Sequence, residues 1–207
     1  YRKSFVLDDA DSLQRIFIRF DGVYMNSKVW INGHFLGLRP YGYVSFQYDI
    51  TSFVKFGGDS INIIAVQVDN SLQPASRWYS GSGIYRNVWL ITTNHLHFAS
   101  NGVFVQCTKA DSTKATLSVD YKIRSNVFPE SKIGAYEMYP DSDRQTTVEC
   151  TIVSELLNVE GVIVAKGKSK FSISDLKTCN THITLEIKNP KLWSAETPDL
   201  YQLKSTL

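Results

Sequence analysis

The chain has 207 residues, 43% hydrophobic and 20% charged, with 22 Lys+Arg against 20 Asp+Glu and a net charge of +2. That apolar share excludes intrinsic disorder, no segment approaches the roughly 18 uninterrupted apolar residues of a membrane helix, and the near-neutral balance argues against a dedicated nucleic-acid binder. The length suffices for one large domain or two of about 100 residues, and the 4 Trp, 11 Tyr and 11 Phe suit sheet surfaces, a carbohydrate-facing cleft, or both.

The dominant period along the chain is two. Residues 1–7 read as a strand with no apolar leader behind them, so the chain is expected to begin inside a larger domain. In residues 15–20, Ile16, Ile18 and Phe20 point one way and Arg15 and Arg19 the other. Asn32-Gly33 between residues 28–31 and 34–38 predicts a tight hairpin. Gly57-Gly58-Asp59 separates strand-like residues 53–56 from an apolar strand over 60–68, and a further strand is expected over 84–91. Residues 94–102 are turn-rich and mark a boundary. Beyond it, Leu117, Val119, Tyr121 and Ile123 form one face of a strand. Glu160-Gly161 divides residues 147–157 from 162–166. Ile183, Leu185 and Ile187 alternate with polar residues, and a last strand is expected over 199–207. Strict alternation needs one buried and one wet face. With no stretch of ten residues at a 3.6 period, a parallel α/β sheet is excluded. The pattern predicts two all-β sandwiches, residues 1–96 and 97–207.

Reactive chemistry is thin. Three cysteines, Cys107, Cys150 and Cys179, leave at least one unpaired and read as small buried hydrophobes. His95-x-His97 lacks a third ligand, so no metal site and no cofactor are expected. Ser80-Gly81-Ser82-Gly83 has neither the order of a nucleophile elbow nor the lysine and helix of a phosphate loop. The informative segment is 69–90, a long loop between two apolar strands carrying Asn70, Arg77, Trp78 and Tyr79. These residues suit sugar: an indole stacks on pyranose C–H groups while Arg and Asn bond hydroxyls. The alternative is structural, with Arg77 paired to Asp69 and Trp78 plugging the end of the sandwich.

Residues 77–90, RWYSGSGIYRNVWL, resemble the R-W-Y-x-G-x-G-I-Y-R-x-V-W-L signature of glycoside hydrolase family 2, which includes β-galactosidases, β-glucuronidases and β-mannosidases. Three more blocks agree in order: FDGV at 20–23 with KVWINGHFLG at 28–37, GYVSFQYDIT at 42–51, and KLWSAETPDLY at 191–201. The resemblance implies a galactose-binding-like jelly roll, truncated at its start, then an immunoglobulin-like sandwich. The catalytic barrel with its two glutamates, the family's next domain, matches nothing in this chain. It further implies a non-catalytic portion of a retaining β-glycosidase, β-galactosidase first, docking on that missing barrel and lending it a rim of Asn70, Arg77, Trp78 and Tyr79. Where some members carry a sodium-binding carboxylate before the loop Trp, this chain has Ser76-Arg77, so no sodium site carries over. The implied partners are a carbohydrate substrate and the barrel, with oligomer contact left open and neither nucleic acid nor membrane involved. A periplasmic or secreted setting suits polysaccharide degradation. Two rivals stand beside this reading: a free-standing carbohydrate-binding module and a purely structural sandwich pair. Gly81 and Gly83 are expected to relieve backbone crowding, Ile84, Val88 and Leu90 to share a core face, and Trp30, Trp89 and Trp193 to be core residues.

Overall fold

The computed structural model describes residues 1–72, 80–125, 147–174 and 177–207. The chain divides into two compact units, Tyr1–Asn94 and His95–Leu207. Each is a sandwich of antiparallel sheets, the first a jelly roll and the second immunoglobulin-like. Helix among the described residues is confined to two 3-10 turns, Asp9–Leu13 and Thr51–Phe53.

In the first unit β1 (Arg2–Phe5), β4 (Ser27–Ile31), β5 (His34–Arg39) and β7 (Asn62–Gln67) form one sheet in the order β1-β7-β4-β5. Facing it, β2 (Arg15–Phe20), β6 (Phe46–Asp49) and β9 (Val88–Thr93) run in the order β6-β2-β9. The short β3 (Val23–Tyr24) pairs with β8 (Gly83–Ile84). Side chains from both sheets meet in a core of Ile16, Ile18, Phe20, Val29, Ile31, Phe46, Ile64 and Val66, as alternation requires. Arg15 and Arg19, on the opposite face of β2, pair with Asp49 and Asp21. Phe17 shares their face and is nevertheless buried, flanked across the sheet by Asp49 and Ile91.

The Asn32-Gly33 hairpin forms between β4 and β5, with φ of 49° and 86°, the left-handed pair a type I′ turn needs. Its asparagine reaches further. The Asn32 amide donates to Phe53 O and to Asn62 Oδ1, both at 2.8 Å, while Asn32 Oδ1 accepts from Ile63 N at 2.8 Å. The fully buried Asn62 also accepts from Lys55 N at 2.8 Å and donates to Lys55 O at 2.7 Å. Residues 53–56 are therefore not a strand. Phe53 O and both Lys55 peptide groups are satisfied by Asn side chains, while Phe53 N donates to Ile50 O at 2.9 Å.

Other expectations are corrected. The run 84–91 breaks into β8 and β9. Trp89 lies opposite Arg19 on the outward face and is 49% exposed. Val88 and Leu90 pair with Phe20 and Ile18, yet they sit on an edge strand and are also exposed. Ile84 packs partly buried against the core, and Trp30 is half-buried beside Phe35. Nothing crowds a Cβ at Gly81, whereas Gly83, at φ +124°, has the Tyr1 hydroxyl where a Cβ would stand.

The second unit stacks β10 (Leu96–Ala110), β11 (Lys114–Ser125) and β14 (Thr178–Lys188) against β13 (Ile163–Ser174), β12 (Thr147–Leu157) and β15 (Gln202–Thr206). The stretch read as turns, 96–102, belongs to β10. Its register slips between Phe98 and Val103, Asn101 takes φ +53°, and a Cβ on Gly102 would meet Ala99 O and Lys122 O at 2.6 Å. That is a bulge within a strand, and its Gly and Asn look like turn residues for that reason. The core takes Val119, Tyr121 and Ile123 from β11 and Ile183, Leu185 and Ile187 from β14. The buried Tyr121 hydroxyl lies 2.6 Å from Ser154 Oγ on β12 and 2.7 Å from Ser205 Oγ on β15, joining the two sheets. Cys150 is buried, and desolvation pushes its thiol up. Cys179 is half-buried, and Cys107 is exposed, against expectation: it lies opposite Leu117 in a stretch of β10, residues 103–110, that is exposed on both faces. Trp193 is 63% exposed and not a core residue; it falls in the irregular segment before β15.

Two substitutions test these polar hubs. Asn62→Leu strands the Lys55 peptide groups and one of the two Asn32 amide N–H donors, each costing about 1–3 kcal/mol when buried. Urea unfolding should show a loss on the order of 3 kcal/mol. Tyr121→Phe leaves Ser154 without its close partner and should cost about 1–2 kcal/mol by the same measurement.

Candidate functional site

The site is built around glycines that carry tyrosine rings. A Cβ on Gly22 would stand 2.5 Å from Cζ of Tyr85, and one on Gly42 would overlap the Tyr24 ring and lie 3.1 Å from its Cα. Only glycine allows these rings to lie against the chain. Tyr85 donates its hydroxyl to Gly42 O at 2.8 Å, and its N–H to Gly22 O at 3.2 Å. Tyr24 and Tyr43 meet at 5.2 Å between ring centroids, tilted by 58°, and Tyr43 meets Tyr41 edge-on at 5.7 Å. Tyr24, Tyr43 and Tyr85, with Ser80, Gly81 and Ser82, line a cleft of about 290 Å³.

Asp21 holds this arrangement from behind. It accepts from Trp89 Nε1 at 2.7 Å and from Arg19 Nε at 3.0 Å, and its N–H donates to Asn87 O at 3.0 Å. Residues 21–23 are thereby fixed alongside 84–87. The Trp89 indole N–H holds the Asp21 carboxyl below the usual aspartate range; desolvation opposes it, and the charge of Arg19 adds a lesser lowering effect. Trp89 thus belongs to the support of the site and not to the core.

The loop that follows β7 is tied down at its start. Asp69 N–H donates to Met25 O at 3.1 Å, Asn26 Nδ2 donates to Asp69 O at 3.0 Å, and Asp69 Oδ1 accepts from Ser71 N and Oγ at 3.0 and 2.6 Å. These bonds also lower the Asp69 carboxyl's pKa, the Ser71 hydroxyl most of all. Asn70 is half-buried next to this anchor, one residue past Asp69 and beside the turn that follows Tyr24. Arg77, Trp78 and Tyr79 lie outside the described residues. The loop returns at Ser80, in the cleft wall, where the Ser80 hydroxyl lies 3.5 Å from that of Tyr43.

Flat aromatic walls with a few hydroxyls bind rings bearing C–H faces and hydroxyl groups. None of the described lining residues is a carboxylate. Sequence reasoning passed over Tyr24, Tyr43 and Tyr85. Two signals could have found them: tyrosines recur inside or beside the matched blocks, and the FDGV and GYVSFQYDIT blocks each place a glycine where one of these rings needs room.

The Asp21 support has a pH signature. Asp21 should titrate below the ordinary aspartate value of 3.8, so its contribution is complete at neutral pH and is lost as pH falls through the depressed value. Carboxyl NMR should show that midpoint rising towards 3.8 in Trp89→Phe, which removes the indole donor.

Residues 1–94 match the model of the glycosyl hydrolases family 2 sugar binding domain, and residues 95–207 match the glycosyl hydrolases family 2 model that follows. A β-galactosidase of Bacteroides ovatus is 42% identical over 203 residues, covering 98% of this chain and 22% of the relative. A putative β-glucuronidase of Formosa agariphila is 39% identical over 207 residues, covering the whole chain and 17% of the relative. Among solved structures, a family 2 member from Bacteroides cellulosilyticus superposes with a TM-score of 0.84 at 32% identity, over 99% of this chain and 25% of that one. The chain spans about a fifth of the length of the curated relatives it matches. With both units matched in order, the chain belongs to glycosyl hydrolases family 2.

Proposed function

We propose that this chain is the non-catalytic N-terminal portion of a retaining β-glycosidase, and that β-galactosidase is its activity. The observation that carries the reading is the 42% identity to a β-galactosidase, maintained through both sandwiches in the same order. In this reading the nucleophile and the acid/base are two carboxylates on a barrel beyond Leu207. The jelly roll contributes recognition. The tyrosine cleft offers faces for pyranose rings, and Asn70, Arg77, Trp78 and Tyr79 form the lip, each contact worth on the order of 1 kcal/mol. The immunoglobulin-like sandwich positions the barrel.

β-Glucuronidase is the second reading. It rests on the 39% identity to a putative β-glucuronidase along the whole chain. Turnover of nitrophenyl β-galactoside against the β-glucuronide by the enzyme that carries this chain separates the two. A hundredfold or greater preference in kcat/KM for the galactoside is the expected result.

The lip role has its own test. Trp78→Ala in that enzyme should raise KM about fivefold or more while moving Tm by under 2 °C. An unchanged KM with a large fall in Tm refutes the lip. Tyr43→Ala, at a residue 51% exposed, should weaken sugar binding with equally little effect on unfolding.

A further inference from the structure

Arg39 closes β5 at the edge of its sheet. Its guanidinium carbon lies 5.4 Å from the ring centroid of Tyr48 and 5.7 Å from that of Phe46, within the range of cation–π attraction. A second cleft, also of about 290 Å³, opens there between Arg39, Pro40, Tyr41, Val44, Ser45 and Phe46.

The unit's other arginines on the neighbouring sheet are neutralised: Arg15 by Asp49 and Arg19 by Asp21. Among the described residues, the Arg39 guanidinium has no ion pair and no hydrogen bond; its backbone lies opposite Ser27 in the β4–β5 ladder, and its carbonyl accepts from Ser27 Oγ at 3.4 Å. The two rings hold the cation without consuming its N–H donors. A guanidinium held on aromatic surface keeps the donor fork that matches an oxyanion in two places at once. The Tyr41 and Ser45 hydroxyls add neutral donors to the same cleft.

The two clefts lie on either side of one short segment. Tyr41 lines the Arg39 cleft, Tyr43 lines the tyrosine cleft, and their rings touch edge-on at 5.7 Å. A glycan lying across this pair presents one sugar to the tyrosines and the next to Arg39.

We propose that Arg39 recognises an oxyanion substituent, a uronate carboxylate or a sulfate ester, on a glycan lying across Tyr41 and Tyr43. This rests on the reading of the tyrosine cleft as a carbohydrate site. It extends that reading from a neutral sugar to an acidic polysaccharide, and it places the charge recognition on the jelly roll.

Calorimetric titration of the 207-residue chain tests it with three oligosaccharides of one backbone: glucuronate-containing, carboxyl-reduced, and sulfated. At low ionic strength an acidic form should bind about tenfold tighter than the reduced form, as a charge-assisted bidentate contact allows. Whichever acidic form gains more identifies the oxyanion. In Arg39→Gln the preference should fall below twofold while affinity for the reduced form is unchanged. Arg39→Lys, which keeps the charge without the planar fork, should retain only part of it. Equal binding of acidic and reduced forms overturns the proposal and leaves the tyrosine cleft standing, as does a preference that survives Arg39→Gln. Binding of none of the three overturns both.

Discussion

The tyrosine cleft depends on a steric constraint: two glycines must give up their side-chain space to rings. At Gly22 and Gly42 the position of a Cβ is already occupied by Tyr85 and Tyr24. The Tyr24 ring in turn packs against Tyr43, and both rings line the cleft together with Ser80–Ser82. A methyl group at either glycine would displace a ring, and with it the wall of the cleft. Asp21 adds the second half of the constraint by tying residues 21–23 to Trp89 and to Asn87 O. The FDGV block and the GIYRNVWL block, 60 residues apart in the chain, are therefore two sides of one joint. Their sequence pattern records the shape of that joint more than contact with any substrate.

The two sandwiches use buried polar atoms differently. The first places Asn62 at the start of β7, where it satisfies both peptide groups of Lys55 in a segment without a strand partner. The second joins its sheets through hydroxyls, that of Tyr121 to Ser154 and Ser205 and that of Ser169 to Thr181. An asparagine hub organises loops, and a tyrosine bridge sets how the sheets lie on each other.

Much of the architecture was legible in the residues. Alternation in β2, β11 and β14 named the buried face of each strand, because a half-wet sheet imposes a period of two. The Asn32-Gly33 turn was readable because few dipeptides tolerate two positive φ values. Misreadings arose where local signals have two causes. Asn101-Gly102 looks like a turn and is a bulge. Trp89 and Trp193 looked like core and are exposed, since size and apolarity do not say which face of an edge strand or loop a residue takes. The cleft itself was least legible. Its tyrosines come from three separate places in the chain, and only the fold brings them together. Of the expected lip, Asn70 lies beside the anchored loop base, while Arg77, Trp78 and Tyr79 fall outside the described residues.

The strand β9 carries a practical consequence for anyone preparing this polypeptide. Val88–Thr93 is six uncharged residues of high β-propensity, and among the described residues it pairs with β2 alone. Three of its apolar side chains are more than 40% exposed. Open, uncharged edges of this kind template stray strand addition and insoluble fibres. A lysine in place of the exposed Thr92 would act as a gatekeeper there without touching the tyrosine cleft or Asp21.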